Sequence, residues 1–120
     1  MSKNLARQVT GLTLLTTIFI AGSTWAAPAD SASGSSTFQS NCAACHGPDG
    51  AGTAAGRSLN VVDLRSAAVQ GQSNAQLQQI VKNGINNMPA FSDSLTDQQI
   101  AAVVEHVRTF GKQQGSTASH

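Results

Sequence analysis

The sequence predicts an all-α protein of three to four short helices, and three observations carry that expectation. Two stretches, 74–83 and 97–110, place apolar residues at helical spacing behind a capping residue and ahead of a glycine. A third, running into Cys42, begins at a serine pair with a glutamine three residues on. No stretch reads convincingly as a strand with a pairing partner. At 120 residues, 40% hydrophobic and 11% charged, the chain fits one small domain. Seven Lys plus Arg against six Asp plus Glu leave no concentrated basic face, so nucleic acid is excluded as a partner.

Residues 1–26 read as a secretory signal peptide. Lys3 and Arg7 supply a positive start, Val9 to Ala21 a mostly apolar middle, and Thr24 and Ala26 the small residues at the positions that cleavage needs. The expected cut follows Ala26, with Ala29 the second choice. An uncleaved anchor is the alternative, and against it the apolar run is about 14 residues where roughly 20 span a bilayer. Export by this route puts the mature protein in the periplasm, without a membrane association after cleavage. The mature chain keeps 7 − 2 = 5 basic and 6 acidic side chains and neither Trp nor Tyr. Its 94 residues include only 18 Val, Ile, Leu, Met and Phe, close to the level at which burial barely offsets the entropy of ordering. Another source of apolar surface is needed.

Ala27 to Ser35 is rich in serine and is expected as a flexible leader, residues 27–35, ahead of a domain over 36–111. Ser35 or Ser36 is placed to cap the first helix, with Gln39 completing a capping box, and that helix runs into Cys42. From Gly47 to about Val69 the density of Gly and Pro reads as an irregular segment, with a short buried strand over 60–64 as the alternative. Its superficial likeness to a phosphate-binding glycine loop lacks the preceding strand and following helix. Leu77, Ile80 and Val81 mark a helix of about ten residues capped by Ser73 with Gln76 and stopped by Gly84. In the last helix Thr96 caps, Gln99 completes the box, Leu95 and Ile100 form a hydrophobic staple, and Ile100, Val103, Val104, Val107 and Phe110 make one apolar stripe. Gly111 is expected to end it, leaving 112–120 as a polar tail.

Cys42, Cys45 and His46 form CxxCH, the attachment signature of c-type haem. The spacing follows from the chemistry: two thiols add to the two vinyl groups of one haem, and the adjacent imidazole lies under the iron as proximal ligand. The macrocycle also supplies the missing apolar surface. A thioredoxin-type dithiol is the competing reading, and it needs a βαβ context absent here. For the second axial position Met88 is the one methionine after residue 26, set four residues beyond Gly84 and stiffened by Pro89. Core filling is the usual role of a lone methionine, and His106, Lys82, Lys112, His120 or an empty site stay open as alternatives.

From Gly34 to Phe110 the chain resembles the class I c-type cytochromes, in particular the small ones of bacterial periplasm and photosynthetic lumen. Gly34, Phe38 and Cys42, each four apart, are similar to the family's first helix; Cys42 to Gly47 to its haem-attachment site; and Lys82, Asn83, Gly84, Met88, Pro89, Ala90 and Phe91 to its axial-methionine loop. The resemblance implies a class I cytochrome c fold around one low-spin haem c, bound through Cys42 and Cys45 with His46 and Met88 on the iron, and a one-electron carrier between larger redox proteins rather than an enzyme. Three features depart from the family pattern. His106 stands where the last helix usually has an aromatic residue; packing near Phe38 is its plain reading, a pH-responsive contact the sharper one. Without Tyr or Trp the haem propionates lack ring donors; Arg57 or Arg65 is a candidate to replace them by charge-assisted bonds, with solvated loop arginines the alternative. No proline stands at the place where the family has one to buttress the proximal histidine, so the acceptor for the second nitrogen of His46 is open. Lys82 and Lys112 are the only mature lysines, so docking is expected to be apolar around an exposed haem edge, with the protein a monomer. A haem subunit or tethered domain of a respiratory complex, and a ligand-binding haem sensor with a displaceable Met88, are the alternatives.

Overall fold

The computed structural model describes Gly22 and residues 31–117, in which six helices and no strand are found. They are α1 (Ser31–Asn41), α2 (Ala43–His46), α3 (Ala54–Ser58), α4 (Ala67–Gln70), α5 (Asn74–Asn83) and α6 (Asp97–Thr117). Helix α6 is the spine. Its Ile100, Val103 and Val104 are sealed from solvent, as the apolar stripe requires, and α1, α5 and α4 pack against it. Among the described residues no helix is long and apolar enough to cross a membrane.

The α1–α6 crossing is set by Gly34. A Cβ built there would stand 2.1 Å from the carbonyl oxygen of Ala102, so the two backbones touch where any side chain would hold them apart. One turn on, the buried Phe38 ring meets those of His106 and Phe110 at centroid distances of 5.2 and 5.3 Å, and His106 meets Phe110 at 4.9 Å. His106 thus fills the aromatic place in the interface. Its Nε2 is buried without a hydrogen-bond partner.

Helices α5 and α6 start as their capping residues dictate. Ser73 N–H donates to Gln76 Oε1 at 2.8 Å while Gln76 N–H donates to Ser73 Oγ at 3.1 Å. Thr96 and Gln99 exchange the same pair at 2.9 and 3.2 Å. Gly84, at φ 72°, closes α5 with its N–H on the Ile80 carbonyl. Leu95 and Ile100 are buried together with Val81, an apolar staple joining the two helices. Each such side chain contributes roughly 1.5–3 kcal/mol by leaving water.

Three boundaries differ from expectation. The first helix begins at Ser31, so residues 31–35 are helix rather than leader; Ser36 Oγ donates to the Ser33 carbonyl, and the Gln39 amide reaches Pro48, instead of forming a cap. The contact of Gly34 with α6 gives this serine-rich turn a tertiary partner that outweighs its weak helix propensity. Gly111 does not stop α6, which continues to Thr117 through most of the expected tail. The glycine serves packing there, since its Cβ would lie 2.6 Å from Gln70 Oε1. Gln70 Nε2 in turn donates to the carbonyls of Leu64 and Val107 at 2.7 and 3.1 Å. The segment 47–69 is not wholly irregular, for α3 and most of α4 lie within it, and 60–64 is not a strand. One capped turn of helix is too short to leave a period in the sequence. The expected signal peptide, apart from Gly22, and residues 27–30 and 118–120 lie outside the described residues.

Gly34→Ala is expected to destabilise the protein by about 1–3 kcal/mol, because backbone rather than a flexible side chain must move. Gly115→Ala, where nothing lies within 4 Å of the added Cβ, is expected to stabilise by about 0.5 kcal/mol. Thermal unfolding of both variants checks the opposite signs. Burial lowers the pKa of His106 below its ordinary 6.5, so the unfolded chain binds the proton more readily. The stability due to its neutral ring is complete above that value and declines as pH falls from 6.5 toward the lower folded pKa. His106→Phe is expected to raise the unfolding midpoint and to remove this part of its pH dependence, measured by melts between pH 5 and 8.

Candidate functional site

The CxxCH turn is gripped by the loop that follows it. Cys42 ends α1 with its N–H on the Phe38 carbonyl, and its own carbonyl accepts from Cys45 and His46 N–H at 3.2 and 2.9 Å. Downstream, Gly52 N–H donates to the His46 carbonyl at 2.7 Å and Thr53 N–H to the Cys45 carbonyl at 2.9 Å. The Thr53 hydroxyl donates to the Ala44 carbonyl at 2.8 Å and accepts from Gly56 N–H at 3.0 Å, so one threonine caps α3 and fastens α2. Gly56 seals this contact: its Cβ would fall 2.0 Å from the Cys45 carbonyl oxygen. The glycines and Thr53 of this segment therefore hold a single helical turn rigid.

On that turn Cys42 and Cys45 are not bonded to each other and, three residues apart, lie on one face. Cys42 sits in the core beside Phe38 and Leu77, and burial pushes its thiol up to about 11. That is the reverse of an activated redox nucleophile, whose thiolate is stabilised, and it disfavours a dithiol oxidoreductase. His46 is also buried, and burial lowers its pKa against the opposing effect of the Val62 backbone. Its Nδ1 is buried without meeting hydrogen-bond geometry to any partner.

Met88 is presented by a loop built just as firmly. Ile85 and Met88 exchange two backbone hydrogen bonds, at 3.2 and 2.9 Å, around a tight turn with Asn86 at φ 50°. Phe91 and Ser92 N–H donate to the Val81 and Lys82 carbonyls, folding the loop back along α5. Gly84 is obligatory here, since its Cβ would lie 2.5 Å from the Met88 carbonyl oxygen and its φ is positive. Met88 itself packs against the Val81, Leu95 and Ile100 cluster.

The expected second-ligand alternatives are otherwise engaged: Lys82 Nζ pairs with Asp97 at 2.8 Å, and His106 lies between Phe38 and Phe110. Lys112 is exposed near the end of α6, and His120 lies outside the described residues. Both arginines expected at the propionates have protein partners. Arg57 Nη2 donates to the Gly52 carbonyl at 3.0 Å, whereas Arg65 holds Asp63 through Nε and Nη2 at 2.9 and 2.8 Å, with Asp49 at 3.7 Å. The Arg65 guanidinium keeps the Asp63 carboxyl below its ordinary range. A surface hollow of about 470 Å³, lined by Arg65, Arg108 and Lys112 among others, includes none of the CxxCH residues or Met88.

Leu59, Val62 and Ile85 are 46, 58 and 51% exposed, the large apolar side chains left uncovered among the described residues. They belong to the segment after α3 and to the Met88 loop. Two cysteines on one face, a buried imidazole next to them and uncovered apolar side chains suit a flat apolar group carrying a metal. The sequence pattern singles out the two cysteines, His46 and Met88. It missed Thr53 and Gly56 in these roles, because a contact to backbone oxygen or a missing Cβ has no signature in one sequence.

Comparison with known proteins decides the family. Residues 29–107 match the family model described as cytochrome c oxidase, cbb3-type, subunit III. Proteins named cytochrome c6 from Tetradesmus obliquus and Thermostichus vulcanus are 42% and 36% identical, over 86 and 90 residues. These alignments cover 66% and 75% of this chain and 89% and 79% of the relatives. The chain belongs to the class I c-type cytochromes. The solved structure of the KustC0563 c-type cytochrome agrees, with a TM-score of 0.61 at 29% identity, covering 64% of this cytochrome and 95% of that chain. With the family come an all-α fold, one covalent haem c and electron carriage; Cys42 and Cys45 are this cytochrome's two cysteines.

Thr53→Ala is expected to cost about 0.5–2 kcal/mol, the worth of a capping side chain, because both the start of α3 and the Ala44 carbonyl lose a partner. Chemical denaturation of the haem-loaded variant measures it.

Proposed function

We propose that this cytochrome is a periplasmic carrier of single electrons between larger redox proteins, released by cleavage after Ala26, with His46 and Met88 as its two iron ligands. The observation that carries the reading is the firm CxxCH turn, which sets two cysteines on one face beside a buried imidazole. Haem c supplies the one-electron ferric/ferrous chemistry. Cys42 and Cys45 would hold it through two thioethers and His46 would give an imidazole nitrogen to the iron, with the Val62 backbone close enough to the ring to orient it. Met88 gives a soft sulfur, which favours the ferrous state and leaves no open position for oxygen or peroxide. Leu59, Val62 and Ile85 shield the macrocycle from water and leave an apolar rim for docking. Of the two arginines, Arg57 is the better propionate partner, since Arg65 is already neutralised by Asp63.

The subunit named in the matching family description favours a second reading, a domain tethered to a membrane complex. The mass of the mature protein separates the two: loss of residues 1–26 with gain of one haem supports the carrier, and retention of them supports the tether.

Met88→Ala is expected to abolish the weak near-infrared sulfur-to-iron band of the ferric protein and to let carbon monoxide bind the ferrous protein at neutral pH. Optical spectra with and without the gas are the measurement, and an unchanged band rejects Met88 as ligand.

A further inference from the structure

The two sides of the site are each fastened internally. On one side Leu59 and Val61 N–H donate to the Gly56 carbonyl, and Gly56 lies against Cys45. On the other, residues 84–92 are bonded back to α5. Between residues 42–66 and residues 74–96 a single hydrogen bond is present among the described residues: the Asn87 side-chain amide donates to the Leu59 carbonyl at 3.2 Å. Asn87 immediately precedes Met88, and its partner is one of the uncovered apolar residues beside the CxxCH turn.

We propose that Asn87 is a positioning residue, a latch that ties the Met88 loop to the segment resting on the CxxCH turn and thereby limits how readily Met88 leaves the iron. The inference rests on Met88 being the ligand. Loop opening must break the Asn87 bond, whereas the turn 85–88 and the bonds to α5 move with the loop or stay with the helix. An external ligand competing for the iron has to wait for that opening, so its apparent affinity reports the latch. Asn87 has an ordinary backbone conformation, unlike Asn86 at φ 50°, so truncating it introduces no strain.

The test is titration of the haem-loaded ferric protein with imidazole, followed in the visible spectrum, for the parent, Asn87→Ala and the isosteric Asn87→Asp, which has no donor for a carbonyl. Affinity is expected to rise about three- to tenfold in Asn87→Ala, the factor one net hydrogen bond is worth, and at least as much in Asn87→Asp. A merely structural residue would lower the thermal midpoint and leave imidazole binding to the folded protein alone. If the parent shows the sulfur band and both variants bind imidazole within about twofold of it, the latch is overturned and the ligation reading stands. If the parent lacks the band, or Met88→Ala retains it, the ligation reading falls and the latch with it.

Discussion

The close passage of α1 over α6 at Gly34 is the contact on which the rest of the architecture depends. With the backbones touching, Phe38 drops into the core and the end of α1 is fixed over Val103 and Val107. That end becomes the CxxCH turn. The same α6 holds α5 through Ile100 and the neighbouring Val81 and Leu95, and the loop that presents Met88 leaves from α5. Both halves of the site therefore hang from one helix. Their separation is set by rigid packing rather than by the intervening loops.

Local rigidity follows a common device on the two sides, in which loop backbone is folded onto helix backbone through a glycine. Gly56 presses on Cys45, and Gly84 lies under Met88. Side-chain bulk at either place would displace the Cys45 or Met88 backbone. Such positions tie composition to function in a chain with little apolar content. The glycine-rich stretch that would ordinarily signal looseness is the clamp on the attachment turn.

Much of this was legible from the sequence, and the limits have physical causes. Helices α5 and α6 begin where Ser73 and Thr96 say they do because caps act locally, within four residues. The attachment chemistry was legible because it demands particular side chains at fixed spacing. Gly111 misled because a glycine that makes room for a neighbour, here Gln70, looks in sequence like one that ends a helix. Ser31–Ser35 misled because their helical state is imposed from outside by α6. The role of the Val62 backbone, and the partner of the Asn87 amide, depend on contacts across the fold that no single-sequence pattern encodes.

The continuation of α6 beyond Gly111 bears on how the molecule tolerates additions. Residues 112–115 are exposed, Gly115 touches nothing within 4 Å, and the last buried residue of the stripe is Phe110. The helix therefore overhangs the core by more than a turn. An affinity tag, a linker or another domain joined beyond that stretch would adjoin exposed helix rather than the buried stripe.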